Sequence, residues 1–215
     1  MMYQPLVSII VITYNQEQWI EATLDSVFGQ TYPNIEWVIS DDCSTDSTWQ
    51  KINDYINNHD VPRDRIVLNR NEHNLKITAN YNKCLYDLSH GELLVINEGD
   101  DISFPNRVET LVKLHEKHKA NLISSLYAFV VDKNLYCKED PKEPIQFRQW
   151  NISNYHWHSE IMYSGPTLCI SRELVDGFPK MKDTTPWIDS PMTRRAIIFG
   201  GGGTSQRCNR QSIIE

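Results

Sequence analysis

Three carboxylates crowd into four positions at Glu98-Gly99-Asp100-Asp101, directly after the apolar run Leu93 to Ile96 and shortly before Pro105. Like charges this close raise one another's pKa unless a positive charge sits among them. A divalent cation removes that cost, and hard cations such as Mg2+ and Mn2+ take oxygen ligands of this kind. A second acidic run, Ser40-Asp41-Asp42-Cys43-Ser44-Thr45-Asp46, follows another apolar stretch, Ile35 to Ile39. Its Asp42, Ser44 and Asp46 also suit the start of a helix as capping residues. Near the end of the chain, Asp189 stands before Ser190 and Pro191, a place where a carboxylate can cap a helix.

The elements that carry these residues follow from periodicity. "LVSIIVIT" (6–13) is β-branched and apolar, and the segment after it sets Trp19, Ile20, Leu24, Val27 and Phe28 on one helical face. "IEWVIS" predicts a second strand and "TWQKINDYINNH" a second helix. "RIVLN" predicts a third strand, and "ITANYNKCLYDLSHG" a helix with Ile77, Tyr81, Leu85 and Leu88 on one side, stopped by Gly91. The strand that ends at Glu98 comes next. "FPNRVETLVKLHEKHK" predicts a helix with lysines in its last turns, where they suit the dipole, and "ANLISSLYAFVVD" a further strand. Such alternation implies an α/β fold with a mostly parallel sheet, helices on both faces, and ligands at the carboxyl ends of the strands. From Lys133 to about Gly165 the pattern degrades into an expected loop-rich segment.

The chain has 215 residues, enough for one domain of the larger sort. Its net charge of -7 argues against nucleic acid as a partner, since phosphates need a basic face. Five cysteines without a C-x-x-C pair give neither a disulfide framework nor a zinc site, and no signal peptide is evident, so the expected compartment is the cytoplasm. The turn after the first strand, "TYNQEQW" (13–19), lacks the glycines of dinucleotide and P-loop sites. A bound diphosphate would therefore need a metal as its counter-charge.

Taken together, "VSIIVITYNQ", "ISDDCSTDST" and "INEGDDISFPNRVE" resemble the ordered landmarks of family 2 glycosyltransferases of the GT-A fold, densely over the first half and thinly over the second. The resemblance implies transfer of a sugar, with inversion, from a nucleotide-sugar donor, a UDP-sugar foremost, to a hydroxyl of a glycan or lipid-linked saccharide acceptor, with Mn2+ or Mg2+ as cofactor. It implies Thr13, Tyr14 and Glu17 around the base and ribose, Asp41 on the base, Lys76 as a basic donor contact, Asp100 at the ribose or metal, and Asp101 at the metal. Glu98 stands where the family often has an aspartate. Asp189 matches the general base and Arg195 the family's arginine, although Ile188 replaces the glutamate expected before the base. Surface polysaccharide synthesis, with peripheral contact at the inner membrane face through the acceptor, is a further implication.

The expected organisation is one domain over 1–215: a nucleotide-sugar half (1–102), an acceptor-side half (103–199), and a poorly ordered tail (200–215), since Gly200 to Gly203 are costly to order. His156, His158, Trp150 and Trp157 are candidates for an acceptor wall or, alternatively, for core-edge packing, and the N-x-S run at Asn151 carries no weight without an export signal. Two other readings stay open, a metal-dependent nucleotidyltransferase and a non-catalytic nucleotide-sugar-binding domain. Hydrolysis of glycosides fits less well, because it needs a carboxylate pair and no nucleotide site.

Overall fold

The computed structural model describes residues 4–131, 134–136, 147–151, 153, 165–186 and 188–213; for 126–131, 134–136, 148 and 205–213 this extends to the backbone only. In chain order the elements are β1 (Val7–Thr13), α1 (Ile20–Phe28), β2 (Ile35–Asp41), α2 (Thr48–Asn58), β3 (Ile66–Arg70), α3 (Ile77–Asn82), a π-helical turn (Lys83–Leu88) and β4 (Leu93–Glu98). There follow β5 (Asp101–Ser103), α4 (Arg107–His118), β6 (Leu122–Val131), β7 (Asn134–Tyr136), β8 (Phe147–Trp150), β9 (Leu168–Ser171), α5 (Arg172–Asp176), α6 (Asp189–Ile198) and β10 (Gly202–Ile213).

Every residue of β1 and of β2 is buried, as expected of parallel strands covered on both faces. The period of two then divides their side chains between two cores. Val7, Ile9 and Val11 of β1, with Leu93 and Val95 of β4, join α1, α2 and α4 on one face, whereas Ile10 and Ile12, with Leu94 and Ile96, join Tyr81, Leu85 and α6 on the other. The strands run in the order β3-β2-β1-β4-β9-β6-β10-β5, with β7 on β6 and β8 on β10. β3, β2, β1 and β4 are mutually parallel, and β9 enters antiparallel between β4 and β6. The chain order reverses at β1, between β2 and β4, which opens a crevice at their carboxyl ends. The acidic turn sits there.

Three expectations need correction. The helix over 77–88 is α3 followed by the π turn, and Ile77 at its start is exposed although Tyr81 and Leu85 are buried. The irregular span contains β7 and β8, and its Trp150 is a buried core residue, in line with the packing alternative; His156, Trp157 and His158 lie outside the described residues. The tail is no loose end either, because Gly202–Ile213 forms β10, paired with β6, β8 and β5. The glycines serve close approach: a Cβ on Gly202 would meet the Trp150 ring at 2.6 Å, and one on Gly203 would meet Phe147 Cε1 at 2.5 Å. Ladder hydrogen bonds and ring packing over the bare backbone offset the entropy of ordering these residues.

Candidate active site

The turn after β1 meets the turn after β2 edge to edge. The backbone N–H groups of Asn15, Gln16 and Glu17 donate to Ser44 Oγ (2.9 Å), Thr48 Oγ1 (2.8 Å) and Asp46 Oδ2 (3.1 Å). In return, Thr45 N donates to Asn15 Oδ1 and Ser47 N to Glu17 Oε2, both at 2.8 Å. The amides that cradle phosphate in glycine-rich turns are thus already spent on side chains. Glu17 belongs to this lock between turns and not to the lining of the cleft beside it.

That cleft has a volume of about 300 Å³ and is lined by Ile12, Thr13, Tyr14 and Gln16 after β1, Asp42 after β2, Asn74 to Ile77 without Leu75, Asn80 on α3, and Glu98 on β4. Thr13, Tyr14 and Lys76, three of the expected donor contacts, line it. Asp41 does not: it is fully buried, accepts from the Ser44 hydroxyl and from Ser44 N at 3.1 Å, and pairs with Arg70 at 3.3 Å. Its neighbour Asp42 lines the cleft instead. Asp42 accepts from Asn71 Nδ2 and Leu75 N at 2.8 Å and from Lys76 N at 3.0 Å, which fixes the carboxylate and folds the 71–76 loop around it. Lys76 adopts a positive φ of 74° there.

At the floor of the crevice the ligand atoms of Glu98, Asp100 and Asp101 all lie within 4.8 Å of one another. Asp101 is almost wholly buried, and Oδ1 of Asp100 is buried with no hydrogen-bond partner among the described residues. An all-oxygen set this tight, with an orphaned carboxylate oxygen, fits a hard divalent cation. Gly99 makes the turn possible. Its N–H donates to Ile12 O at 2.9 Å, its carbonyl accepts from Thr23 Oγ1 at 2.9 Å, and a Cβ would meet Thr13 Oγ1 at 2.5 Å.

Asp189 comes to the same place from the other end of the chain. It is the first residue of α6, and no side-chain cap holds that helix. The position that a Cβ on Gly165 would take lies 3.4 Å from Asp189 Oδ1 and 3.6 Å from both Glu98 Oε1 and Tyr81 OH. Tyr81 OH donates to Glu98 Oε1 at 3.1 Å. Burial raises the pKa of Asp189 above the ordinary aspartate value, opposed in part by bonds from its own N–H and that of Gly165. A carboxylate placed in this way, with its pKa raised and Glu98 close by, is suited to taking a proton. Arg195 points elsewhere: it donates to Tyr86 OH at 2.9 Å and Pro179 O at 2.7 Å and lies over the Phe178 ring.

The chain is similar to several known proteins. The glucosyltransferase WfaP of Escherichia coli, described as UDP-Glc:alpha-D-GlcNAc-diphosphoundecaprenol beta-1,3-glucosyltransferase, is 33% identical over 122 residues, which are 57% of this chain and 46% of that one. TarS 1-349 of S. aureus, solved in complex with UDP, superposes with a TM-score of 0.72 at 21% identity, covering 98% of this chain and 61% of that one. The mannosyltransferase PcManGT of Pyrobaculum calidifontis, solved with GDP-Man and Mn2+, gives a TM-score of 0.73 at 18% identity, covering 99% and 57%. The chain spans about half the length of the curated relatives it matches. The glycosyl transferase family 2 model matches residues 8–173, a span that takes in both acidic runs, at the ends of β2 and β4, and the chain belongs to that family.

Proposed function

We propose that the protein is an inverting glycosyltransferase that moves a sugar from a UDP-sugar to a hydroxyl of a glycan or lipid-linked acceptor in surface polysaccharide synthesis. The observation that carries this reading is the convergence of Asp189, from α6, with Glu98, from β4, at the edge of the Gly165 turn. A group of three carboxylates lies at one end of the cleft, and a separate, half-buried carboxylate, Asp189, faces it.

Asp42 accepts the N3 proton of uracil in this account, Tyr14 and Lys76 flank the nucleoside, and Thr13 lies between the base and the acidic turn. Asp100 and Asp101, with Glu98, would hold Mn2+ or Mg2+. When bound, the ion supplies charge neutralisation to the departing diphosphate. Asp189 takes the proton from the acceptor hydroxyl as its oxygen attacks the anomeric carbon from the face opposite the nucleotide, so the configuration inverts. UDP is favoured because relatives are described with UDP-glucose and solved with UDP, although a GDP-mannose enzyme shares the fold.

Among the described residues no helix is long and apolar enough to cross a membrane. We place the reaction in the cytoplasm, with contact at the inner membrane face supplied by a lipid-linked acceptor. A thermal-shift screen of nucleotide-sugars tests the donor assignment, since a ligand that binds only the folded state raises its melting temperature. UDP-sugars with Mn2+ are expected to give the largest shift. A larger shift with adenosine diphosphate compounds, or none with any nucleotide, contradicts the proposal.

A further inference from the structure

Arg107 is fully buried, and its guanidinium donates to four oxygens, none of them a carboxylate. Desolvation draws its pKa down to about 10, so it stays cationic at neutral pH. Burying a charge without an ionic partner is costly, and an apolar side chain of similar size is often as stable or more so. The bonds show what the charge is used for. Nη1 donates to Asn97 Oδ1 at 3.2 Å and Ser103 Oγ at 2.9 Å, and Nη2 to Ile96 O at 2.9 Å and Pro166 O at 2.7 Å.

Asn97 passes one half of this grip to the acids. With Oδ1 held by Arg107 and by the Ser103 hydroxyl (2.8 Å), its Nδ2 donates to Glu98 O at 2.9 Å and Asp101 O at 3.1 Å, the two ends of the acidic turn. The other half reaches Pro166, next to Gly165, whose N–H bonds to Asp189. We propose that Arg107 is a positioning residue that ties the Glu98–Asp101 turn to the Gly165–Thr167 turn and so sets the separation between the metal-holding carboxylates and Asp189. The planar fork of a guanidinium can span two turns at once; the point charge of an ammonium cannot.

This inference rests on the proposed roles of the acids and of Asp189, and the test separates the two. Arg107→Lys and Arg107→Met are compared with the parent by melting temperature, by UDP affinity in chelator, by Mn2+ affinity from electron paramagnetic resonance, and by kcat and KM for UDP-sugar turnover. The Asp42 end of the cleft is not held by Arg107, so UDP affinity in chelator is expected to stay within about twofold of the parent. Mn2+ affinity is expected to fall about tenfold or more and kcat about a hundredfold, with KM little changed, because small displacements of reacting groups cost this much. A folded Arg107→Lys variant with the parent's Mn2+ affinity and kcat overturns the inference. So does a loss of chelator-insensitive UDP binding in proportion to lost folded protein, the mark of a merely structural role. If neither variant folds, Ser103→Ala, which removes one hold on Asn97, is expected to weaken Mn2+ binding, and no change there overturns the inference. A parent that binds Mn2+ but turns over no nucleotide-sugar defeats the proposed function, while the Mn2+ comparison still judges Arg107.

Discussion

Asp41 and Asp42 are adjacent carboxylates and both buried, yet they meet different partners. Successive side chains at the end of a strand point to opposite sides, so only one of the pair can meet the cleft. The motif "SDDCSTD" places two carboxylates here, and the partners Ser44, Arg70, Asn71 and the 75–76 amides, invisible in a linear pattern, decide which one lines the cleft. Asp41→Ala is expected to lower stability by about 1–3 kcal/mol, because it strands buried donors of Ser44. Asp42→Asn keeps an oxygen for the loop amides and is expected to weaken UDP binding about tenfold, measured by calorimetry. Asp189 gives the opposite balance. Its raised pKa means that protonation favours the folded form, so its contribution to stability is present below the ordinary aspartate value and lost as pH rises through the raised one. Asp189→Asn is therefore expected to melt no lower than the parent at pH 7 while kcat falls about 10²–10⁴-fold. In the parent, kcat should fall with acid through a pKa above 3.8, and a profile flat down to that value would move the base elsewhere.

At the scale of elements, the long apolar strands and helices of the first half were legible because each carries several periods of its pattern. β9, of four residues, and α5, of five, were not, since so few residues show neither period clearly. β10 was misread for a different reason: its glycines signal entropy in the sequence and ring packing in the fold. Backbone amides of Gly203 to Ile213 that donate to β6, β8 or β5 are expected to exchange slowly with deuterium, and exchange as fast as in a free peptide would contradict the strand. The acidic turn makes a sharper demand on shape. Gly99→Ala drives a methyl to within 2.5 Å of Thr13 Oγ1, an overpacking that is expected to cost about 1–3 kcal/mol and to weaken Mn2+ binding in the folded fraction.

For the whole molecule, one sheet gathers four distant stretches of chain at its crevice: the turn after β1, the acidic ends of β2 and β4, and the start of α6. The two acidic turns were readable from motifs that each follow a strand. The meeting of Asp189 with Glu98 was not, because it runs through the Gly165 turn and α6, contacts that no local pattern encodes. In the proposed function, a metal held by the Glu98–Asp101 turn stands in for the missing phosphate cradle, as the turn amides of Asn15 to Glu17 are already bonded to side chains. Calorimetric titration of UDP into the parent and into Asp101→Ala, each with Mn2+ and with chelator, tests it most directly. The parent is expected to bind at least tenfold more tightly with Mn2+, and Asp101→Ala to lose that gain. Equal affinity with and without metal in the parent, or an Asp101→Ala variant that keeps the full gain, would contradict the claim.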